Sequence, residues 1–316
     1  MSNKKIAVFF LTLVFAAGVC FAQAKKTTKA ATPKNVPVTV IVMNDSTFGG
    51  PDASLNQGLE NFLGVPLEFT YITRADALKD PKYSGFNLDY MPLYLLSRNA
   101  VSNEKFGEHI SSGYLPATED FIVFEKQTRQ GVYAGMEKKP NLIELFVMSQ
   151  CPYGAMAEGK IIDAQKLGVI PDNIKIDVRY IASPGRTEGE FSSLHGSAEW
   201  EEDVRQLIIK DKYPNKFWKY LEIRNKDYQS SRWDIAAEEA GINPNIFRKN
   251  WKRGVELLKK DIEYGEKLGV SASPTVIWEG QVVTDLNSLS SLPGLEGFSR
   301  VTGAAAQAAA APAAQC

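Results

Sequence analysis

Blocks of apolar residues separated by polar turn clusters predict alternating strands and helices along most of the chain. Val36 to Met43 (VPVTVIVM) is β-branched and predicts a strand. Residues 44–51 form a turn cluster; from Asp52, Leu55, Leu59, Phe62 and Leu63 then recur at helical spacing and Gly64 marks a stop. Pro66 to Thr73 predicts a second strand. Tyr90 to Leu96 predicts a third, entered through Pro92; residues 102–112 predict a helix and Phe121 to Glu125 a further strand. The polar, proline-containing stretch Glu137 to Asn141 reads as a linker.

A second series follows. Leu142 to Met148 is long enough for a buried strand. It breaks at Ser149-Gln150 and delivers Cys151, after which 152–167 is helical and Gly168 ends it. Ile174 to Ile181 alternates with period two, as a strand does, and 183–193 reads as a loop. A long helical section covers Ala198 to Lys210, Lys216 to Leu221 and Asp234 to Ala240. In a last helix beginning near Asn243, Phe247, Trp251, Val255, Leu258 and Ile262 form one apolar face, closed by Gly269. Val276 to Trp278 predicts a short strand after Ser273-Pro274-Thr275, and Asp285 to Leu292 predicts the start of a closing helix.

The chain ends change this picture. Lys4-Lys5, an apolar run from Ile6 to about Phe21 and the small-residue exit Ala22-Gln23-Ala24 predict a cleaved signal peptide over 1–24. A retained membrane anchor is the alternative. Residues 25–35 read as a polar tether. The expected domains are therefore 36–138 and 140–300, followed by an Ala-rich flexible tail, 301–316, ending in Cys316. The chain is expected to be periplasmic or secreted, with no stable membrane span after cleavage.

The net charge of −1 over 316 residues gives no support to nucleic-acid binding. Three cysteines, Cys20, Cys151 and Cys316, and two histidines are too few for a disulfide scaffold, a cysteine-cluster metal site or a His-rich one. Neither a metal nor a cofactor is expected. Cys151 is the exception worth chemistry. A strand that hands a cysteine to the first turn of a helix places sulfur among unpaired N–H groups, which favour an anion. Pro152 suits that first turn, where its missing donor is not needed.

Ser149-x-Cys151-Pro152-Tyr153 resembles the active-site turn of thioredoxin-fold redox proteins, in particular the glutaredoxin Cys-Pro-Tyr-Cys motif, with Gly154 in place of the second cysteine. Ser273-Pro274-Thr275 resembles the segment that presents a cis proline to that cysteine. The long helical stretch between them resembles the insertion of DsbA-like oxidoreductases. The resemblance implies an α/β fold with two tandem thioredoxin-like domains. The second carries the DsbA-like helical insertion; the first lacks a cysteine and keeps a cis proline at Pro92.

It further implies an extracytoplasmic thiol–disulfide oxidoreductase in which Cys151 is a monothiol nucleophile, set among Pro152, Tyr153, Ser273, Pro274 and Thr275. Its partners would be proteins bearing disulfides or thiols, with glutathione or a redox partner protein as further candidates. A substrate thiol, a small thiol or Cys316 would resolve the mixed disulfide. Glu144, on the strand leading to Cys151, is a candidate proton acceptor. A non-catalytic peptide- or partner-binding module, chaperone-like in character, is the alternative.

Overall fold

The computed structural model describes residues 35–43, 48–101, 103–125 and 130–301. The signal-peptide reading, the tether, the Ala-rich tail, Cys20 and Cys316 lie outside the described residues.

The chain builds β1 (Val36–Val42), α1 (Ala53–Leu63), β2 (Leu67–Thr73), α2 (Arg74–Ala77), β3 (Tyr90–Met91), β4 (Leu93–Ser97), α3 (Asn103–Ser111), β5 (Phe121–Phe124) and β6 (Gly131–Tyr133). It continues with β7 (Leu142–Val147), α4 (Pro152–Lys166), β8 (Lys175–Tyr180) and the small hairpin β9 (Ser183–Pro184) and β10 (Phe191–Ser192). Then come α5 (Ser197–Lys212), α6 (Pro214–Arg224), α7 (Trp233–Glu239), α8 (Asn245–Leu268), β11 (Thr275–Trp278) and β12 (Val282–Thr284).

One topology occurs twice. The first sheet has the order β2-β1-β4-β5, and the second contains β8-β7-β11-β12. In each, the first two strands in chain order are parallel and joined through a helix; the third and fourth are antiparallel. Each third strand begins directly after a cis proline, Pro92 before Leu93 and Pro274 before Thr275. This is the thioredoxin strand order in both halves, with α5 to α8 inserted between β8 and β11 of the second.

Local chemistry explains the boundaries. Asp52 caps α1, its carboxylate accepting the Ser54 and Leu55 N–H groups at 2.8 and 3.1 Å, and Gly64 ends the helix in the left-handed region. α8 lies against α5 at Gly254, where an added Cβ would come within 2.7 Å of Ile208 and 2.8 Å of Val204. Glycine is what allows the two helices that close approach. Ile143, Leu145 and Val147 of β7 join Ile161 of α4, Leu207 and Ile208 of α5 and Leu258 of α8 in one core.

Three expectations are corrected. Tyr90 to Leu96 is not one strand. The chain breaks at Pro92, so that Tyr90 and Met91 pair with Tyr133 and Val132 while Leu93 onward pairs with β1 and β5. β3 and β6 thereby extend the second sheet to β3-β6-β12-β11-β7-β8, and the sheet crosses the linker expected at 137–141. Asp285 to Leu292 does not start an α-helix. The Asp285 carboxylate accepts the Asn287 and Ser288 N–H groups at 2.7 and 2.9 Å, and only 3₁₀ turns follow, at 289–291 and 296–300. The 183–193 loop contains the β9–β10 hairpin.

Candidate functional site

β7 ends at Val147, and the next four residues turn the chain into α4. Cys151 is the helix N-cap, with φ −76° and ψ 126°, and Pro152 takes the first helical position. The Cys151 N–H donates to the Met148 carbonyl at 3.0 Å and its own carbonyl accepts from Ala155 at 3.0 Å, which closes the turn. The thiol lies 3.8 Å from the Ser273 carbonyl oxygen and is fully buried. The Ser273-Pro274 bond is cis.

Ser273 ties the two segments together. Its hydroxyl accepts the Met148 N–H at 2.9 Å while its carbonyl faces the sulfur. Thr275 closes the far side by donating its hydroxyl to Ala272 O at 2.7 Å, and it sits opposite Phe146 in the β11–β7 register. Tyr153 and Pro152 are half-buried beside the turn. The structure thus brings Cys151, Pro152, Tyr153, Ser273, Pro274 and Thr275 into one place. Gly154 is buried there too. A Cβ on it would fall 2.8 Å from Met148 O, 2.8 Å from Ser273 Oγ and 3.3 Å from Val147 Cβ.

Glu144 is placed elsewhere. Its carboxylate accepts from Arg179 Nε at 2.8 Å, Tyr264 Oη at 2.9 Å and Lys139 Nζ at 3.1 Å. Arg179 also binds Asp261 of α8 at 2.8 Å. Phe146, which shares the strand face of Glu144, packs on Tyr264, whereas Ile143, Leu145 and Val147 join the core that includes α4. The expected proton acceptor is instead the centre of an ion cluster that pins the linker and α8 to β7. None of its hydrogen bonds runs to the cysteine turn.

The carboxylates that do reach the turn come from α5 and were missed. Ser149 N–H donates to Asp203 Oδ1 at 3.3 Å, and Gln150 N–H donates to Glu199 Oε1 at 3.1 Å. Glu199 also holds His195, its Oε2 accepting the backbone N–H at 3.2 Å and its Oε1 lying 2.7 Å from Nδ1. Ser149 adds a hydroxyl bond to the Glu199 carbonyl at 3.1 Å. On α4, Glu158 is buried, accepting from Asn225 Nδ2 at 2.6 Å on Oε2 alone. Burial pushes its carboxyl up to about 8, with the nearby Glu202 adding to the shift. The signal for these residues was the density of acids in EWEED, 199–203, on a helix whose apolar positions are also dense.

Among the described residues, no group of three or more His, Cys, Asp or Glu side chains is placed to hold a metal ion. Nor is any helix among them long and apolar enough to cross a membrane.

No family model matches the chain, and no curated protein matches its sequence. Solved structures do resemble the fold. Oxidised BdbD from Bacillus subtilis is similar at 13% identity and a TM-score of 0.39, covering 52% of this chain and 92% of that one. A DsbA disulfide interchange protein from Klebsiella pneumoniae is similar at 15% identity and a TM-score of 0.37, covering 55% and 92%. The thiol–disulfide exchange protein α-DsbA2 from Wolbachia pipientis is similar at 15% identity and a TM-score of 0.36, covering 59% and 89%.

Proposed function

We propose that the chain is an extracytoplasmic thiol–disulfide exchange protein that works through Cys151 as a single nucleophile. The observation that carries this reading is the cysteine at the N-cap of α4 with its sulfur against the Ser273 carbonyl of the cis-proline segment. The thiolate attacks one sulfur of a substrate disulfide; a Cys151–substrate bond forms, the substrate S–S bond breaks, and the other substrate sulfur leaves as thiolate. A second thiol then attacks the mixed disulfide and returns Cys151 as thiolate. Gly154 supplies no such thiol, so it comes from a second substrate cysteine, from a small thiol such as glutathione, or from Cys316. The backbone around Ala272 and Ser273 precedes β11 and could align an extended protein substrate beside the sulfur.

The test is insulin reduction and refolding of scrambled ribonuclease, with wild type against Cys151→Ser. Loss of turnover in the variant supports the reading; equal rates for the two proteins refute it. Cys316→Ser that accumulates more mixed disulfide than wild type would assign resolution to the tail, and unchanged accumulation would assign it to an outside thiol. Leader cleavage after Ala24 is read by N-terminal sequencing of the exported protein.

One observation favours a second reading. Cys151 is fully buried, so a reaction partner reaches it only if the covering residues move. A thioredoxin-fold module that binds peptides without exchange would need no such movement. Retained peptide affinity in Cys151→Ser, together with equal reductase rates, is the result that selects it.

A further inference from the structure

The two acids that grip the cysteine turn are unlike in their surroundings. Glu199 is satisfied on both oxygens by Gln150 and His195. Asp203, one helical turn further along α5, uses Oδ1 for the Ser149 N–H and leaves Oδ2 buried with no partner. The arginines nearby are taken by other acids: Arg205 pairs with Glu201 and Glu202, and Arg224 with Glu202. The titratable groups around Asp203 are Glu199 and Glu202 on α5 and Tyr180 on β8. Tyr180 donates to Gln206 at 2.6 Å and Tyr220 to Glu202 at 2.7 Å. Among the described residues, no cation is bonded to Asp203.

We propose that Asp203 is a positioning residue for Cys151, a carboxyl that holds the Ser149 N–H on one oxygen and carries a proton on the other, so that its ionisation is coupled to that of the thiol. A bare carboxylate oxygen in that place would be an uncompensated buried charge, which proteins avoid by keeping the proton. Burial, with Glu199 and Glu202 alongside, accordingly raises the Asp203 carboxyl well above the usual carboxylate range.

The coupling has a size. Asp203 bonds to the backbone two residues before Cys151, so chain reach limits the separation of the two acids to roughly 10–15 Å. A unit charge at that distance, in an effective dielectric of about 20, changes an ionisation constant about tenfold. Whichever group loses its proton first therefore holds back the other. Glu199 keeps the turn in place throughout, since its two oxygens have their own donors. The role of this coupling in exchange rests on Cys151 being the nucleophile proposed above, but the coupling itself does not.

The test reads protons rather than turnover, in folded protein carrying Cys20→Ser and Cys316→Ser. The Cys151 ¹³Cβ and Asp203 ¹³Cγ shifts are followed against pH, with Asp203→Asn and Cys151→Ser as the partners. Asn keeps an oxygen for the Ser149 N–H, so a purely structural role would leave the thiol titration unmoved. The expected result is that the later-ionising group moves to lower pH, by about a tenfold change in its constant, when its partner is removed. Midpoints that stay fixed in both variants overturn the proposal, as does an Asp203 carboxyl already ionised below about pH 5. If Asp203→Asn fails to fold, the Asp203 titration in the parent against Cys151→Ser decides it alone. Equal reductase rates for wild type and Cys151→Ser would overturn the functional reading and leave this coupling standing.

Discussion

The hydroxyl of Ser273 lies 2.8 Å from the point where a β-carbon on Gly154 would sit. The same hydroxyl accepts the Met148 N–H at 2.9 Å. The position one helical turn beyond Cys151 is thus filled from the cis-proline segment, and the backbone carbonyl of Met148 closes it from another side at 2.8 Å. The absence of a side chain at 154 is built into the packing and is more than a missing sulfur.

Gly154→Cys tests this directly. An alanine or cysteine within a helix usually gains up to about 1 kcal/mol over glycine. Here the crowding of a backbone oxygen is expected to reverse the sign, with a net loss of about 1–3 kcal/mol, the usual range for overpacking. Urea denaturation of wild type, Gly154→Ala and Gly154→Cys reads it. Gly154→Ala more stable than wild type would show that the site relaxes freely. Ser273→Gly should cost less in the Gly154→Cys background than alone, since there the lost Met148 acceptor is partly offset by removal of one of the two closest contacts.

Ser273→Ala alone has a different cost. The Met148 N–H is buried and would lose its acceptor, a loss of about 1–3 kcal/mol. Ser273→Thr retains the hydroxyl and should recover most of it if its methyl is accommodated. Chemical denaturation, with amide exchange at Met148, follows both. An exchange rate at Met148 that is unchanged in Ser273→Ala would show that the hydrogen bond does not hold the turn.

Much of this architecture was legible in the residues. The strand-to-helix delivery of Cys151 follows from an apolar run ended by Ser149-Gln150 and a proline in the first turn. The α8 face follows from the spacing of Phe247, Leu258 and Ile262. What was not legible depends on partners distant in sequence. Tyr90 to Leu96 reads as one strand because every residue is apolar or aromatic; the chain breaks at Pro92, and its two ends pair in different sheets. β6 is three residues long and carries no periodicity of its own. Glu199, Glu202 and Asp203 lie in the first two turns of α5, and all three are buried. Their donors come from the cysteine turn, α6 and the helix itself, which no local pattern reveals. Glu144 shows the converse: its place before Cys151 implied chemistry, whereas pairing turned it toward Arg179 and Tyr264.

Glu144→Gln should separate these roles. It removes one charge from a buried cluster and leaves Arg179 and Lys139 less compensated, at an expected cost of about 3–5 kcal/mol by the usual penalty for breaking a buried pair. The rate at which Cys151 reacts with iodoacetamide in the remaining folded protein should match wild type across pH. A changed pH profile without loss of stability would restore Glu144 as the proton acceptor.

Glu158 gives the fold a pH dependence of its own. Its carboxyl titrates near 8 in the folded protein, raised by burial from an ordinary value of 4.5. The folded state therefore binds the proton more tightly than the unfolded chain. The stability this contributes is fully present below about pH 4.5, declines as pH rises between the two values and is gone above about 8. A shift of this size corresponds to several kcal/mol at most, and relaxation of the site brings the expectation to on the order of 3 kcal/mol. Glu158→Gln keeps an oxygen for the Asn225 amide and cannot ionise. The variant should lose little at pH 5, where wild type is already neutral at this position. It should exceed wild type at pH 9, where wild type must bury a charge. Urea midpoints at the two pH values measure the difference. An equal gap between the two proteins at pH 5 and pH 9 would mean that Glu158 is ionised in both conditions, with water or a cation supplying the missing partner for Oε1.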